Sequence, residues 1–369
     1  MFKIGKYLDF NLLIVILLLI TIGVVMIASA TDADTLGITR EVKFQLISFG
    51  LGVIAMVIVM LIDYQLMGDL YLFVYALSII ALLLVYVPGL GVEQAGARSW
   101  IDLGLMDFQT SEIAKIGFIV SFAKLLEKRE GRLENLFDIF IPILFVLPLL
   151  LLIFKQPDLG SMLVFVFIFL GMIFVSGLNI KIILLSALSA VLSLPLVYTF
   201  LEPHQKQRID AFLNPNDASL PGNYHVLMSK ITIGSGKLKG NGLFQGGFSA
   251  NNFLPVQETD FIFAVLVEEL GFIGGIAVIG LYFLFLSRLI RIAFKAKDHL
   301  GNNIVVGVLF MFAFQIFENI GMTMGIMPVT GVTLPFLSYG GSSMIVNMIA
   351  IGLVMNVYMR RKRKSYDMP

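Results

Sequence analysis

Long apolar runs separated by short polar stretches divide this chain. Ten of them stand out, at residues 11–30, 44–63, 70–88, 110–126, 138–154, 160–177, 180–200, 261–287, 304–326 and 340–359. None alternates with period two, and each approaches the ~20 residues that a helix needs to cross a bilayer. Backbone groups in lipid must be paired internally, so continuous runs of this kind predict helices. The pattern predicts an all-α fold: a polytopic integral membrane protein of ten transmembrane helices, forming a single domain over residues 1–369. The fourth run is the least apolar, because Glu112 and Lys115 fall in its first turns. One polar stretch is far longer than the others. Residues 201–260 form a large loop between helices 7 and 8 and end in Glu258-Thr259-Asp260, directly before the apolar run that opens at Phe261. A carboxylate thus sits where an aqueous loop meets a membrane helix, the position an enzyme acting on a lipid-linked polar substrate needs for a base.

Composition supports the membrane reading. Charged residues make up 14% of the chain and hydrophobic ones 58%, whereas soluble domains carry about 25% charged residues. Net charge is +1, which points to no nucleic-acid partner, and the absence of Cys removes disulfides, thiolate nucleophiles and Cys-bound metals. His204, His225 and His299 lack metal-ligand spacing. Lys and Arg set the orientation. With the N-terminus inside, 16 of the 26 Lys and Arg lie on the inner side and Lys115 lies in a span; of the nine outside, five are in the long loop. Both termini are therefore expected in the cytoplasm and the long loop outside. Ala28-Ser29-Ala30 matches a signal-peptidase pattern, but the apolar run before it exceeds the ~7–15 residues of a cleaved signal.

Charges within or beside spans are costly and mark partners or cavities. Glu112 and Lys115, three apart on a helix, share a face and suit an ion pair, or a cation held toward a phosphate. Asp158, in Gln156-Pro157-Asp158-Leu159-Gly160, suits a cap of the next helix. Glu268 and Glu269 fall about 12–14 Å below Asp260 along an ideal helix and read as carboxylates satisfied inside the bundle, with Glu318 as another buried anchor. Asp260 can be the N-cap of the eighth span or a catalytic acid, and its position alone does not separate the two. Gly234-Ser235-Gly236-Lys237 is no phosphate-binding P-loop, since Ile231 and Leu238 occupy the places that motif requires for Gly and Ser/Thr. Neither outward His has a Gly-x-Ser-x-Gly partner.

Four blocks carry a resemblance. They are Gly96-Ala-Arg-Ser-Trp-Ile-Asp-Leu-Gly104 with Phe108-Gln-Thr-Ser-Glu-Ile-Ala-Lys115; Gln156-Pro-Asp-Leu-Gly160; Ile233-Gly-Ser-Gly236 through Leu254-Pro-Val-Gln-Glu-Thr-Asp-Phe-Ile-Phe-Ala264 to Glu268-Glu-Leu-Gly271; and Asn319-Ile-Gly-Met322 through Pro328-Val-Thr-Gly331 to Leu334-Pro-Phe-Leu-Ser-Tyr-Gly-Gly-Ser-Ser343. Together they resemble the SEDS family (shape, elongation, division, sporulation), most closely its RodA branch. The resemblance implies a peptidoglycan glycosyltransferase that polymerises lipid II outside the bacterial cytoplasmic membrane, for cell elongation and rod shape. Its implied partners are a class B penicillin-binding protein that crosslinks the product and the membrane proteins of the elongation complex. The family's essential acid matches Asp260. The chain departs from the family's pattern at Glu258, His225, Met228 and Thr110, where Gln109-Thr110-Ser111-Glu112 stands for the usual Gln-Pro-Ser-Glu.

The implied reaction sends the 4-hydroxyl of one substrate's GlcNAc to the anomeric carbon of the other's MurNAc, with undecaprenyl pyrophosphate leaving. Asp260 is the expected base. Arg98, Lys115 and Arg208, with Lys230 behind them, are the expected cations for the pyrophosphate, a load that a divalent ion such as Mg or Mn can share. Trp100, the only Trp, suits interfacial anchoring or stacking on sugar. Glycines 331, 340 and 341 with Pro328 and Pro335 predict broken or re-entrant backbone. With Thr330, Ser338, Ser342 and Ser343 that backbone makes a second polar wall facing Asp260, or a close helix contact through small residues. Glu112, Asp158 and Glu268 are the expected supports. A lipid II flippase and a noncatalytic scaffold for a penicillin-binding protein are the competing classes, but the polar motifs cluster on one side, where a flippase needs groups reachable from both.

Overall fold

The computed structural model describes residues 8–31, 38–94, 96–102, 104, 107–130, 136–178, 185, 192, 198–215, 217, 220–249 and 253–361. The helices are α1 (Phe10–Thr31), α2 (Arg40–Leu61), α3 (Tyr64–Asp69), α4 (Tyr71–Leu84), α5 (Thr110–Glu127), α6 (Phe140–Lys155), α7 (Leu159–Val175), α8 (Pro203–Leu213), α9 (Pro221–Ser235), α10 (Ile262–Phe294), α11 (His299–Thr323) and α12 (Gly341–Met359). Helix occupies every predicted span except the seventh, residues 180–200, which lies almost wholly outside the described residues. Among the described residues α1, α2, α10, α11 and α12 are long and apolar enough to cross a membrane, and α4, α6 and α7 are shorter apolar helices. The chain is a membrane-integral helical protein. The fourth predicted span, α5, carries Glu112, Lys115, Lys124 and Glu127, too many charges to face lipid. It lies inside the bundle instead, with its first two turns and most of its length buried.

The all-α expectation needs one correction. Between α4 and α5 the chain forms an antiparallel sheet, β1 (Gly91–Gln94), β2 (Ala97–Asp102) and β3 (Asp107–Gln109), in that order. Trp100 pairs with Val92 on one side and with Gln109 on the other. The strands hold four, six and three residues; the longest, Ala-Arg-Ser-Trp-Ile-Asp, does not alternate, so no strand pattern shows in the sequence.

Burial ranks the helices. The apolar windows of α11 and α12 are 78% buried, that of α2 22%, so α11 and α12 are central and α2 presents a broad face to lipid. Phe285, Phe312 and Phe336 meet with ring centroids 5.1–5.7 Å apart. They join α10 and α11 to the non-helical segment 324–340 that links α11 to α12.

The helix α10 has 33 residues, about 50 Å at 1.5 Å per residue, well beyond a hydrocarbon core of about 30 Å. It breaks at Gly271 (φ 71°, ψ −172°), a conformation essentially restricted to glycine. Residues 237–242 fill the break. The N–H groups of Asn241 and Gly242 donate to the carbonyls of Glu268 and Glu269 at 3.0 Å, and Phe272 N–H donates to Lys237 at 2.9 Å. The Glu268 carboxylate accepts from Phe248 N (2.8 Å), Ser249 N (3.1 Å) and the Ser235 hydroxyl (3.2 Å). Glu269 accepts from Phe244 N (3.2 Å) and from Ser29. The two acids are thus satisfied by the long loop and by α1, with lipid-facing side chains starting at Phe272 and Ile273. Ser29, the centre of the apparent cleavage tripeptide, is buried in this helix contact.

A Cβ at Gly271 would lie 2.3 Å from Gly240 N and 2.6 Å from the Leu238 carbonyl oxygen. Gly271→Ala is expected to cost at least about 1–3 kcal/mol, read as a lower melting temperature of the detergent-purified protein and faster proteolysis within 236–249. Gly280→Ala on the same helix, where an added Cβ meets nothing within 4 Å, is the control expected to leave melting unchanged or raise it.

Candidate active site

One end of the bundle opens into a cavity of about 560 Å³. The first turns of α2, α5, α7 and α12 reach it, as do the β sheet, α8, the residues just before α10, and the segment 329–343. The predicted second wall is therefore real as geometry: Thr330, Gly331, Gly340, Ser342 and Ser343 line the cavity together with Asp260. Of the other residues singled out in the sequence, Trp100, Lys115, Arg208, Glu112 and Asp158 also line it.

Asp260 does not cap α10. The N-cap is Phe261, with no side-chain cap hydrogen bond, so the helix-cap reading of this carboxylate falls. The Asp260 side chain is partly exposed to the cavity. Burial pushes its pKa up to about 6, against the downward pull of the Thr259 hydroxyl and the Arg208 guanidinium, while Glu258 raises it further. Gly331 passes beside the carboxylate at φ 77°; a Cβ there would stand 3.7 Å from Oδ2. Arg208 reaches in from α8, its Nη1 donating to the Thr330 carbonyl at 3.4 Å.

On the opposite wall Lys115 Nζ meets Glu112 Oε1 at 2.7 Å, both side chains buried. Glu112 Oε2 has no hydrogen-bond partner. Asp158 caps α7, accepting from Ser161 N at 3.0 Å and Ser161 Oγ at 2.8 Å, and its Oδ2 also accepts from Gln109 Nε2 at 2.8 Å. The first turns of α5 and α12, by contrast, have no side-chain cap, which leaves N–H groups available to an anion.

Three predicted binding residues and the expected support Glu268, which holds the long loop at the α10 break, stand elsewhere. Arg98 is exposed, over β1 and near Tyr86. Lys230 is exposed on α9, packed on the turn at Gly325. Ser338 is buried behind the cavity, where its hydroxyl donates to the Thr259 carbonyl and accepts from Leu334 N at 2.9 Å. The neutral loop positions His225 and Met228 also do not line the cavity; the His225 ring stacks on Phe261, and burial lowers its pKa. Sequence reading missed Arg40, which lines the cavity from the first turn of α2. It is one of the few cations in a short outer loop, and an exception to the Lys/Arg bias was the signal available.

A family model described as cell cycle protein, that of FtsW, RodA and SpoVE, matches residues 10–363. Stage V sporulation protein E of Bacillus subtilis (strain 168) is 39% identical over 95% of this chain and 96% of its own length. Peptidoglycan glycosyltransferase MrdB of Escherichia coli (strain K12) is 36% identical over 97% of this chain and 95% of its own. Among solved structures, a chain from a peptidoglycan synthase complex, studied for its coordination of polymerization and crosslinking, superposes with a TM-score of 0.82 at 32% identity, covering 95% of this chain and 97% of that one. The rod shape determining protein RodA of Thermus thermophilus gives 0.72 at 30% identity, covering 96% and 98%.

The buried Glu112–Lys115 pair yields a test of the wall opposite Asp260. Lys115→Met leaves a buried carboxylate without its cation and is expected to destabilise the protein by about 3–5 kcal/mol. The double variant Glu112→Gln/Lys115→Met removes both charges and should recover much of that loss, as measured by thermal melting in detergent.

Proposed function

This chain belongs to the FtsW, RodA and SpoVE family, the SEDS proteins, and we propose that it is a peptidoglycan glycosyltransferase that joins lipid II units into glycan strands. The observation that carries this reading is the Asp260 carboxylate: released from helix capping, open to a polar cavity, and beside the Arg208 guanidinium. The cavity opens on the extracytoplasmic side and both termini lie in the cytoplasm, as the distribution of Lys and Arg supports.

In the proposed reaction the acceptor GlcNAc 4-hydroxyl enters beside Asp260. The carboxylate takes the hydroxyl proton as the oxygen bonds to the donor's anomeric carbon. The bond from that carbon to the phosphate oxygen breaks, and undecaprenyl pyrophosphate leaves with the electron pair. A sugar hydroxyl is a weak nucleophile, so a positioned base is worth about 10²–10⁴-fold. A base with a pKa of about 6 is mostly ionised at neutral pH and still a useful proton acceptor. Arg208 and Arg40 line the same cavity and supply charge for the leaving pyrophosphate, while Lys115 is held by Glu112. The uncapped first turn of α12, at Gly341–Ser343, adds N–H donors and the Ser342 hydroxyl. Trp100 offers a ring face to a sugar.

The side chains do not fit a resident divalent metal: among the described residues no three His, Asp or Glu come together as a ligand set. A Mg or Mn ion would enter as a counter-ion of the pyrophosphate. The relative from a complex that coordinates polymerization and crosslinking supports a crosslinking partner, which we take to be a class B penicillin-binding protein; membrane proteins of the elongation complex are proposed partners on the family resemblance alone.

Purified protein supplied with lipid II should form glycan polymer, and Asp260→Asn should slow it by about 10²–10⁴-fold; undiminished polymer from that variant overturns the role given to Asp260. The pH profile has a defined sign. Only the ionised carboxylate accepts a proton, so the rate should fall as pH drops through about 6. Arg208 holds the Asp260 pKa down, so Arg208→Ala should move the acidic limb to higher pH as well as lower the maximal rate.

A further inference from the structure

Asp260 is attached to the cavity wall by its backbone. Three consecutive carbonyls ahead of α10 are each bound by a group from the α11–α12 region. Tyr339 N–H donates to Glu258 O at 2.9 Å, the Ser338 hydroxyl donates to Thr259 O at 2.5 Å, and Asn319 Nδ2 donates to Asp260 O at 3.0 Å. Asn319 Nδ2 also donates to Val332 O at 2.8 Å, so one amide ties the acid's own peptide to the strand-like wall that runs past its carboxylate at Gly331.

These groups are themselves held. Asn319 is 0% exposed and Ser338 3%. Ser338 Oγ accepts from Leu334 N at 2.9 Å, and its carbonyl accepts from Gln45 Nε2 of α2 at 3.0 Å. The neighbouring residue on α11, Glu318, accepts from the Thr330 hydroxyl at 2.6 Å, and Thr330 O is the acceptor for Arg208. One turn of α11 therefore reaches the acid through Asn319 and the cation through Glu318 and Thr330.

We propose that Asn319 and Ser338 are positioning residues for glycosyl transfer: by binding the carbonyls of Asp260 and Thr259 they fix the carboxylate against the Gly331 wall and keep water from its rear. Neither touches substrate, since both lie behind the cavity lining. The inference rests on the reading of Asp260 as base. A carboxylate displaced by about 1 Å can lose a hundredfold in rate, while the sites that bind the two lipid-linked substrates stay in place.

The test uses the full-length protein with lipid II. Wild type against Asp260→Asn comes first, and equal rates there remove the base reading itself. Given that loss, Asn319→Leu, which keeps the branched shape and removes both N–H donors, should lower kcat by about 10–100-fold with KM nearly unchanged. It should also move the acidic limb of the rate–pH profile below the wild-type value, because water reaching Asp260 relieves the burial that raises its pKa. Ser338→Ala, a smaller change, should give the same pattern more weakly and serves where Asn319→Leu lowers the melting temperature too far. An unchanged kcat, or a loss of rate with the acidic limb left in place, overturns the proposal and leaves a purely structural role.

Discussion

Backbone that leaves the helix inside a membrane protein must find partners within the protein, because lipid offers none. The segment 324–340 is where this constraint bears hardest. It joins two central helices without being helical, and Leu334, Phe336, Leu337 and Ser338 are all buried. Its polar groups are met one by one. Asn319 binds the Val332 carbonyl at 2.8 Å, the Tyr282 hydroxyl binds the Pro335 carbonyl at 2.7 Å, and Gln45 donates to Ser338 O at 3.0 Å while accepting from Gly340 N at 3.2 Å. The partners come from α11, α10 and α2, so satisfying this one segment fixes three helices relative to each other. The cavity wall at Thr330–Thr333 and the first turn of α12 take their places from that arrangement.

The same demand sorts the acidic residues into two kinds. Glu268, Glu269 and Asp158 bind loop N–H groups, hydroxyls and a helix end, Glu318 accepts from the Thr330 hydroxyl through one oxygen, and Glu112 is held by Lys115. Their work is assembly: Glu268 and Glu269 bind the long loop to the break in α10. Asp260 is different. Its backbone is bound at every carbonyl around it, yet its carboxylate is spared helix capping. A group rigid in its main chain and released from helix capping in its side chain suits proton transfer, which needs fixed geometry and an available lone pair.

Hydropathy made the membrane helices legible, because each is a long apolar run whose identity does not depend on its neighbours. It also placed Asp260 at a loop–helix junction, and the motif resemblance separated it from a cap before the structure did. Four features stayed out of reach. The β sheet is built from strands of at most six residues, with no periodicity to read. Arg98 and Lys230 carry the right charge for a pyrophosphate, but which way each side chain lies is set by the sheet over Gly91 and by the packing of α9 on Gly325. Arg40 was legible only as a count of outer charges. Ser338 was singled out for its hydroxyl, and the hydroxyl faces Thr259 O rather than the cavity because Leu334 N needs it as an acceptor.

The cavity's formal charge then poses a problem that its backbone resolves. Arg40, Lys115 and Arg208 face Asp102, Asp107, Glu112, Asp158 and Asp260, a surplus of acids in a site that must hold a pyrophosphate. Two of those acids are already matched. Glu112 is paired with Lys115, and Asp158 is taken up by the first turn of α7 and by Gln109. What remains is Arg40, Arg208 and the helix ends, set against Asp102, Asp107 and Asp260. Each N-terminus presents roughly half a positive charge, and the uncapped starts of α5 and α12 both reach the cavity, which adds roughly one charge without adding a side chain. Fixed dipoles of this kind do not reorganise as charge moves onto the leaving group. The arrangement therefore keeps an ionisable carboxylate and an anion-holding surface within one cavity, where a denser cluster of Lys and Arg would hold the pyrophosphate but pull the pKa of Asp260 down and weaken it as a base.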